Sequence, residues 1–285
     1  MNFKNPMQLK SLIKNKAIQS HISPQLVMQN YLLERLLERI ATSKYRQNFI
    51  IKGGFLISAI VGLNTRTTMD LDTTLTGLSL TEEQLIIIFN EICNQPKEDD
   101  LKFKVTTITE IREKDDYPGL RVNLLAQYPP INTPLSIDIT TGDKITPKAI
   151  EFKFPKMFEE GEISCLTYNI ETLLAEKLET IVTRSTNTTR PRDYYDVYLI
   201  SSMQSYNLDL LREAIKNTAK KRNSLEIISN FAPIIEDIKN SKRMKQQWLS
   251  YCKQFQYANS IDFQEICDKI EILLNDIFTF TSHLK

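Results

Sequence analysis

Histidine is almost missing from this chain: its 285 residues contain two, His21 and His283. Neither lies near other polar motif residues, so mechanisms that need a histidine base are set aside. Any chemistry falls to carboxylates, lysine and metal. Net charge is missing too. The 36 Lys and Arg against 35 Asp and Glu leave +1, so no global field draws the protein to nucleic acid, and any basic surface is local. The four cysteines, Cys93, Cys165, Cys252 and Cys267, form no C-x-x-C pair. Neither a zinc site nor a disulfide framework is indicated, and the pattern suits a reducing cytoplasm. No apolar run reaches membrane-spanning length, and Met1-Asn-Phe-Lys-Asn lacks the apolar core of a signal peptide. The expectation is a cytoplasmic protein with no membrane partner. Internal repeats and low-complexity tracts are absent as well.

What remains is an ordinary globular composition, 41% hydrophobic and 25% charged, long enough for one large domain or two small ones. Ser23-Pro24 opens a helix, with serine as N-cap and proline in the first turn. Val27, Tyr31, Leu33, Leu36, Leu37 and Ile40 then recur at helical spacing, while Glu34, Arg35, Glu38 and Arg39 read as its solvated face. Thr81 caps a further helix that runs to about Cys93. The period then changes to two: Phe103–Ile111, Leu120–Tyr128 and Leu135–Thr140 read as neighbouring strands of a small mixed sheet, punctuated by Tyr117-Pro118-Gly119 and Pro129-Pro130. From Asn169 the pattern is helical almost to the end, with Pro233 the main breaker. The expected organisation is an α/β (α+β) domain over residues 1–160 and a helical domain over 161–285.

The most informative stretch is Ile51-Lys-Gly-Gly-Phe-Leu followed by Thr67-Thr-Met-Asp-Leu-Asp72. Side chains two apart on a strand share a face, so Asp70 and Asp72 project together. Paired carboxylates repel unless a cation lies between them, and Mg²⁺, a hard oxygen-seeking ion, fits that place. The Gly53-Gly54 turn lets backbone N–H groups approach a phosphate at a helix start. Lys52, Gly53, Gly54 and Arg66 are the candidate nucleotide-binding residues. The ordered unit resembles the signature of polymerase-β-like nucleotidyltransferases. Asp138 sits between Ile137 and Ile139 on a strand. It either points to solvent by simple alternation or completes a three-carboxylate cage with Asp70 and Asp72, placed to position an acceptor hydroxyl.

A second block starts at Glu171-Thr-Leu-Leu-Ala-Glu-Lys-Leu-Glu and ends at Arg190-Pro-Arg-Asp-Tyr-Tyr-Asp196. Lys177 falls inside an apolar stripe and either snorkels outward or points at an anion. Asp193 either complements the helix dipole or orients Lys177 or an arginine. Arg190 and Arg192 flank the helix start as candidate phosphate contacts.

With K-G-G, R-x-T-x-D-L-D and I-D-I before it, this block resembles the AbiEii/AbiGii toxin family of nucleotidyltransferases, over roughly Asn48 to Ile200. The resemblance implies a toxin of a type IV toxin–antitoxin pair acting in abortive phage infection, with a separately encoded antitoxin. It implies a Mg²⁺-dependent transfer of a nucleotide from an NTP, often GTP, to an acceptor such as the tRNA 3′ end. By motif, Gly53, Gly54, Asp70, Asp72, Lys177 and Asp193 carry over. The expected catalytic set is therefore Asp70, Asp72, Asp138, Lys177 and Asp193, the last two closing the cleft from the helical domain. A small-molecule or protein acceptor, and a non-catalytic NTP- or RNA-binding regulator, are the alternatives.

The tail offers Lys216, Lys220, Lys221, Arg222, Lys239, Lys242, Arg243 and Lys245, with Trp248, Tyr251, Phe255 and Tyr257 near them. These form either a basic surface with stacking groups or a soluble helix face over core aromatics.

Overall fold

The computed structural model describes residues 5–97, 99–111 and 119–278; the Tyr117-Pro118 turn signal and His283 lie outside them. The chain divides into two compact units, Met1–Gly142 with Ala149–Thr167, and Asp143–Lys148 with Tyr168–Lys285.

In the first unit, α1 (Pro6–Ser20) and α2 (Pro24–Thr42) precede β1 (Phe49–Lys52), α3 (Gly53–Val61), β2 (Asp70–Leu75) and α4 (Glu82–Cys93). Five further strands complete a seven-stranded sheet: β3 (Lys102–Glu110), β4 (Gly119–Tyr128), β5 (Ile131–Thr141), β6 (Ile150–Pro155) and β7 (Glu162–Thr167). Their order is β3-β4-β5-β2-β1-β7-β6. The β2–β5 and β1–β7 pairs are parallel and the rest antiparallel.

Period-two alternation gives the sheet two unlike faces. Phe49, Ile51, Leu71, Leu75, Val122, Leu124, Ala126, Leu135, Ile137 and Ile139 are all buried. Helix α4 packs on this side, its Phe89 ring 5.8 Å from that of Phe49. The same alternation leaves Lys52, Asp70, Asp72, Arg121, Asn123, Ser136 and Asp138 on the opposite face.

The α/β fold followed by helices agrees with the sequence pattern, but several details do not. The supposed solvated face of α2 is covered: Glu34, Arg35 and Arg39 are buried. Arg35 pairs with Glu34, with Glu38 at 3.2 Å and with Glu159 at 2.9 Å. Arg39 pairs with Asp99, donates to the Leu101 carbonyl at 2.9 Å, and lies 4.7 Å from the Phe103 ring centroid. Long-range partners turn what reads as a solvent stripe into an internal ionic seam. Strand β6 carries little sequence signal, because it is a mostly exposed edge strand ending at Pro155. Strand β7, interior to the sheet beside β1, is not among the strands expected from the sequence.

The second unit is helical: α5 (Ile170–Arg184), α6 (Pro191–Met203), α7 (Leu208–Lys221), α8 (Leu225–Ser229), α9 (Phe231–Asn240), α10 (Lys242–Gln254) and α11 (Phe263–Phe278). Pro233 is not a breaker. It sits in the first turn of α9, where a backbone N–H has no intrahelical partner to lose. Trp248 and Tyr251 are core residues, buried with Tyr195 and Phe263 rather than offered for stacking. Two of the tail cations are held internally: Arg222 by Glu176 and Glu179, and Lys239 by Asp268 and Glu271.

Replacing Arg39 with methionine leaves Asp99 and the Leu101 carbonyl without their partner. The expected loss is about 3–5 kcal/mol, read as a lower urea midpoint. Lys44→Ala, which removes an exposed pair with Glu91, leaves the midpoint where it is.

Candidate active site

The site is assembled by strand register. Along the parallel β2–β5 pair, Asp70 lies opposite Ser136 and Asp72 opposite Asp138. Asp70, Asp72 and Asp138 each offer a carboxylate oxygen within 4.8 Å of the others. One row of the sheet extends this line at both ends, with Arg121 of β4 opposite Asp138 and Lys52 of β1 opposite Asp72. The row therefore reads cation, anion, anion, cation.

Each acid is separately fixed. Asp138 is gripped by Arg121, Nε to Oδ1 at 2.6 Å and Nη2 to Oδ2 at 2.7 Å, a two-pronged pair. Asp70 Oδ1 accepts from the Thr68 hydroxyl at 2.6 Å, and Asp72 Oδ2 accepts from the Gly54 N–H at 3.4 Å. The segment before β2 is tied to α2: Asn30 Nδ2 donates to the Thr68 carbonyl at 2.9 Å and Gln29 Nε2 to that of Met69 at 2.8 Å. Gly53, at the N-terminus of α3, adopts φ +65°, and a Cβ there would fall 2.0 Å from Asp72 Oδ2. No other residue fits that turn without displacing the carboxylate. Lys52 Nζ donates to the Thr140 hydroxyl at 2.9 Å, on the face that carries Asp138.

The Arg121 guanidinium is held above its ordinary range, first by its hydrogen bonds to Asp138 and then, against the opposing effect of burial, by the charges of Asp138, Asp70 and Asp72. Three half-buried carboxylates from two strands, with no sulfur or imidazole in the group, are the donor set of a hard divalent cation. Asp70, Asp72 and Asp138 are the residues that fit one.

The model of the nucleotidyl transferase AbiEii toxin family, of type IV toxin–antitoxin systems, matches residues 35–269. The chain belongs to that family. Its fold is also similar to two solved structures. One is a protein of H. pylori assigned as a nucleotidyltransferase, at 16% identity and TM-score 0.52, with 93% of this chain and 99% of that one covered. The other is JHP933 from Helicobacter pylori, at 15% identity and TM-score 0.50, covering 90% and 94%. Both likenesses concern the fold. No curated protein sequence matches the chain.

In this AbiEii-family chain the remaining sequence candidates fall in two places. Arg66 belongs to the first unit and is buried beside the glycine turn, its guanidinium on the Thr67 carbonyl and 3.1 Å from where a Gly54 Cβ would stand. There it braces the approach to β2. Lys177, Asp193, Arg190 and Arg192 belong to the second unit. Lys177 does not snorkel: its Nζ lies 2.8 Å from Asp193 and 2.7 Å from Asp196. Burial alone would push this ammonium down, but the two aspartates outweigh it and hold it above its ordinary range. Arg190 is half-buried before α6, and Arg192 is exposed in its first turn. Sequence reasoning missed Arg121, because a polar residue at a strand position of the right parity is already explained by alternation. The available signal was that Arg121 is the cationic member of an otherwise neutral β4.

Two outcomes follow from the geometry. Gly53→Ala forces Asp72 aside and weakens binding of Mn²⁺, a spectroscopic stand-in, by about 10- to 100-fold in a paramagnetic titration. Lys177→Met leaves Asp193 and Asp196 together in the interior without their cation, and lowers unfolding free energy in urea by about 3–5 kcal/mol.

Proposed function

We propose that this toxin-family protein transfers a nucleoside monophosphate from an NTP to an acceptor hydroxyl at the 3′ end of tRNA. The observation that carries the reading is the parallel β2–β5 register, which sets Asp72 beside Asp138 with Asp70 on the same face. It gains weight from the glycine turn directly behind Asp72 and from membership of a nucleotidyl transferase family. That membership also implies an antitoxin partner. Among the described residues no helix is long and apolar enough to cross a membrane. A tRNA acceptor places the reaction in the cytoplasm.

In the reaction, the acceptor O–H attacks the α-phosphorus, the bond from that phosphorus to the bridging oxygen breaks, and pyrophosphate leaves. Asp138 is the group to position the hydroxyl and take its proton, since each of its oxygens keeps a lone pair beyond the one given to Arg121. The Gly53-Gly54 backbone and Lys52 receive the triphosphate, helped by the positive end of α3. A divalent ion held by Asp70, Asp72 and Asp138, Mg²⁺ by its oxygen donor set, would neutralise the phosphates and the leaving pyrophosphate. Lys177, the family's second motif, and Asp193, a later acid of the family pattern, serve the same reaction in this reading, with Asp193 as a positioning residue for the lysine.

The test is incubation with total bacterial RNA, Mg²⁺ and each α-³²P NTP in turn, beside Asp70→Asn. Label on a tRNA-sized band, lost in the variant and with chelator, is the expected result and names the base. Absence of label with every NTP while NTP binding persists overturns transfer and leaves a nucleotide-binding regulator.

A further inference from the structure

The carboxylate cluster has two flanks in the sheet. On one, β1 leads into the glycine turn and α3. On the other lie β4 and β3, and the register carries the site outward across them. Asp138 faces Arg121, which faces Thr109; one row along, Asp70, Ser136, Asn123 and Thr107 stand in line. That second row is a hydrogen-bonded ladder: Ser136 Oγ donates to Asn123 Oδ1 at 3.0 Å, and Asn123 Nδ2 donates to Thr107 Oγ1 at 3.0 Å. Further out, Lys104 lies opposite Leu125 and Lys102 opposite Gln127.

Every charged side chain that β3 and β4 place on this face is a cation: Arg121, Lys102 and Lys104. Glu110, opposite Leu120, falls on the other side. Lys102, Lys104, Thr107 and Thr109 are exposed, and the Arg121 side chain is 43% exposed. Its pair with Asp138 uses two donors of a guanidinium fork that has five.

We propose that this face binds the phosphodiester backbone of a single-stranded RNA 3′ end. Arg121 takes the phosphate nearest the reacting hydroxyl, and Lys104 and Lys102 take phosphates further back. That this RNA is the acceptor rests on the transfer proposed above; the binding surface does not. The NTP belongs to the opposite flank, where the glycine turn lies. A polycationic small molecule is repelled by three cations. Lys104 lies level with Leu125, four residues beyond Arg121 along β4, about 13 Å at the rise of a strand, which suits an extended polyanion better than a compact one. The neutral amide and hydroxyl ladder beside it offers donors and acceptors to sugar hydroxyls and base edges. In the second unit, two of the eight tail cations, Arg222 and Lys239, are occupied by ion pairs.

Fluorescence anisotropy with a short labelled single-stranded oligoribonucleotide and the full chain tests this. The Lys102→Glu/Lys104→Glu double variant changes only exposed residues and melts with the wild type. It is expected to bind the oligonucleotide at least about tenfold more weakly at low salt. Its slope of log K against log salt falls by about 1.4, at about 0.7 for each lost single-strand phosphate contact. Arg121→Gln lowers the slope by about 0.7. Mg·NTP binding by the double variant, measured by calorimetry, stays at the wild-type value. Unchanged oligonucleotide affinity in the double variant overturns the proposal, and so does equally tight binding of a labelled polyglutamate peptide. Loss of binding in the variants, together with no label transfer from any NTP by the wild type, upholds the surface and removes the transferase reading.

Discussion

Everything at the site depends on one pairing, the parallel register of β2 against β5. It sets Asp72 directly opposite Asp138, with Asp70 on the same face, and so builds like-charge repulsion into the middle of the sheet. At such spacing the repulsion is on the order of 1 kcal/mol per pair in water and more in a less polar surround. The sheet answers along the same row, with Arg121 gripping Asp138 from β4 and Lys52 standing level with Asp72 on β1. Register is also enforced from below. A slip of one residue would carry Asp138 into the layer occupied by Ile137 and Ile139 and bring those two out to solvent. Apolar burial and ionic compensation therefore select the same alignment.

Much of this was legible in the sequence. The D-x-D spacing fixes that Asp70 and Asp72 share a face, whatever the tertiary fold. Asp138, flanked by two isoleucines, needs a polar face on a strand, and Gly53-Gly54 marks a turn closed to side chains. Those are local rules, and the structure obeys them. What was not legible depends on contacts distant in sequence. Glu34, Arg35 and Arg39 look like a solvated stripe because nothing within a few residues reveals Glu159, Asp99 or Phe103 as partners. For Trp248 and Tyr251 the sequence left a stacking surface and a core role both open, and the packing of α6, α10 and α11 makes them core. Arg121 was hidden for a different reason. Alternation alone accounts for a polar side chain there, and its importance comes wholly from the β4–β5 register that puts it beside Asp138.

The position of Asp70 can be followed back to the interior. Its hydroxyl partner, Thr68, has a carbonyl held by Asn30, and Met69 has one held by Gln29. Both amides come from α2, so the approach to β2 inherits its place from that helix rather than from the sheet alone. Helix α2 is in turn anchored by its buried charges, since Arg35 and Arg39 each need partners at fixed distances and tolerate little sliding. An apolar stripe would have permitted small shifts of register, because hydrophobic burial is not directional. A bidentate or multiply bonded guanidinium does not. The ionic seam in α2 contributes little net stability over an apolar replacement of similar shape. Its effect is to fix the helix, and through Gln29 and Asn30 to fix the carboxylate at the head of β2. The geometry needed to gather three acids around one point is thus set before any ligand arrives.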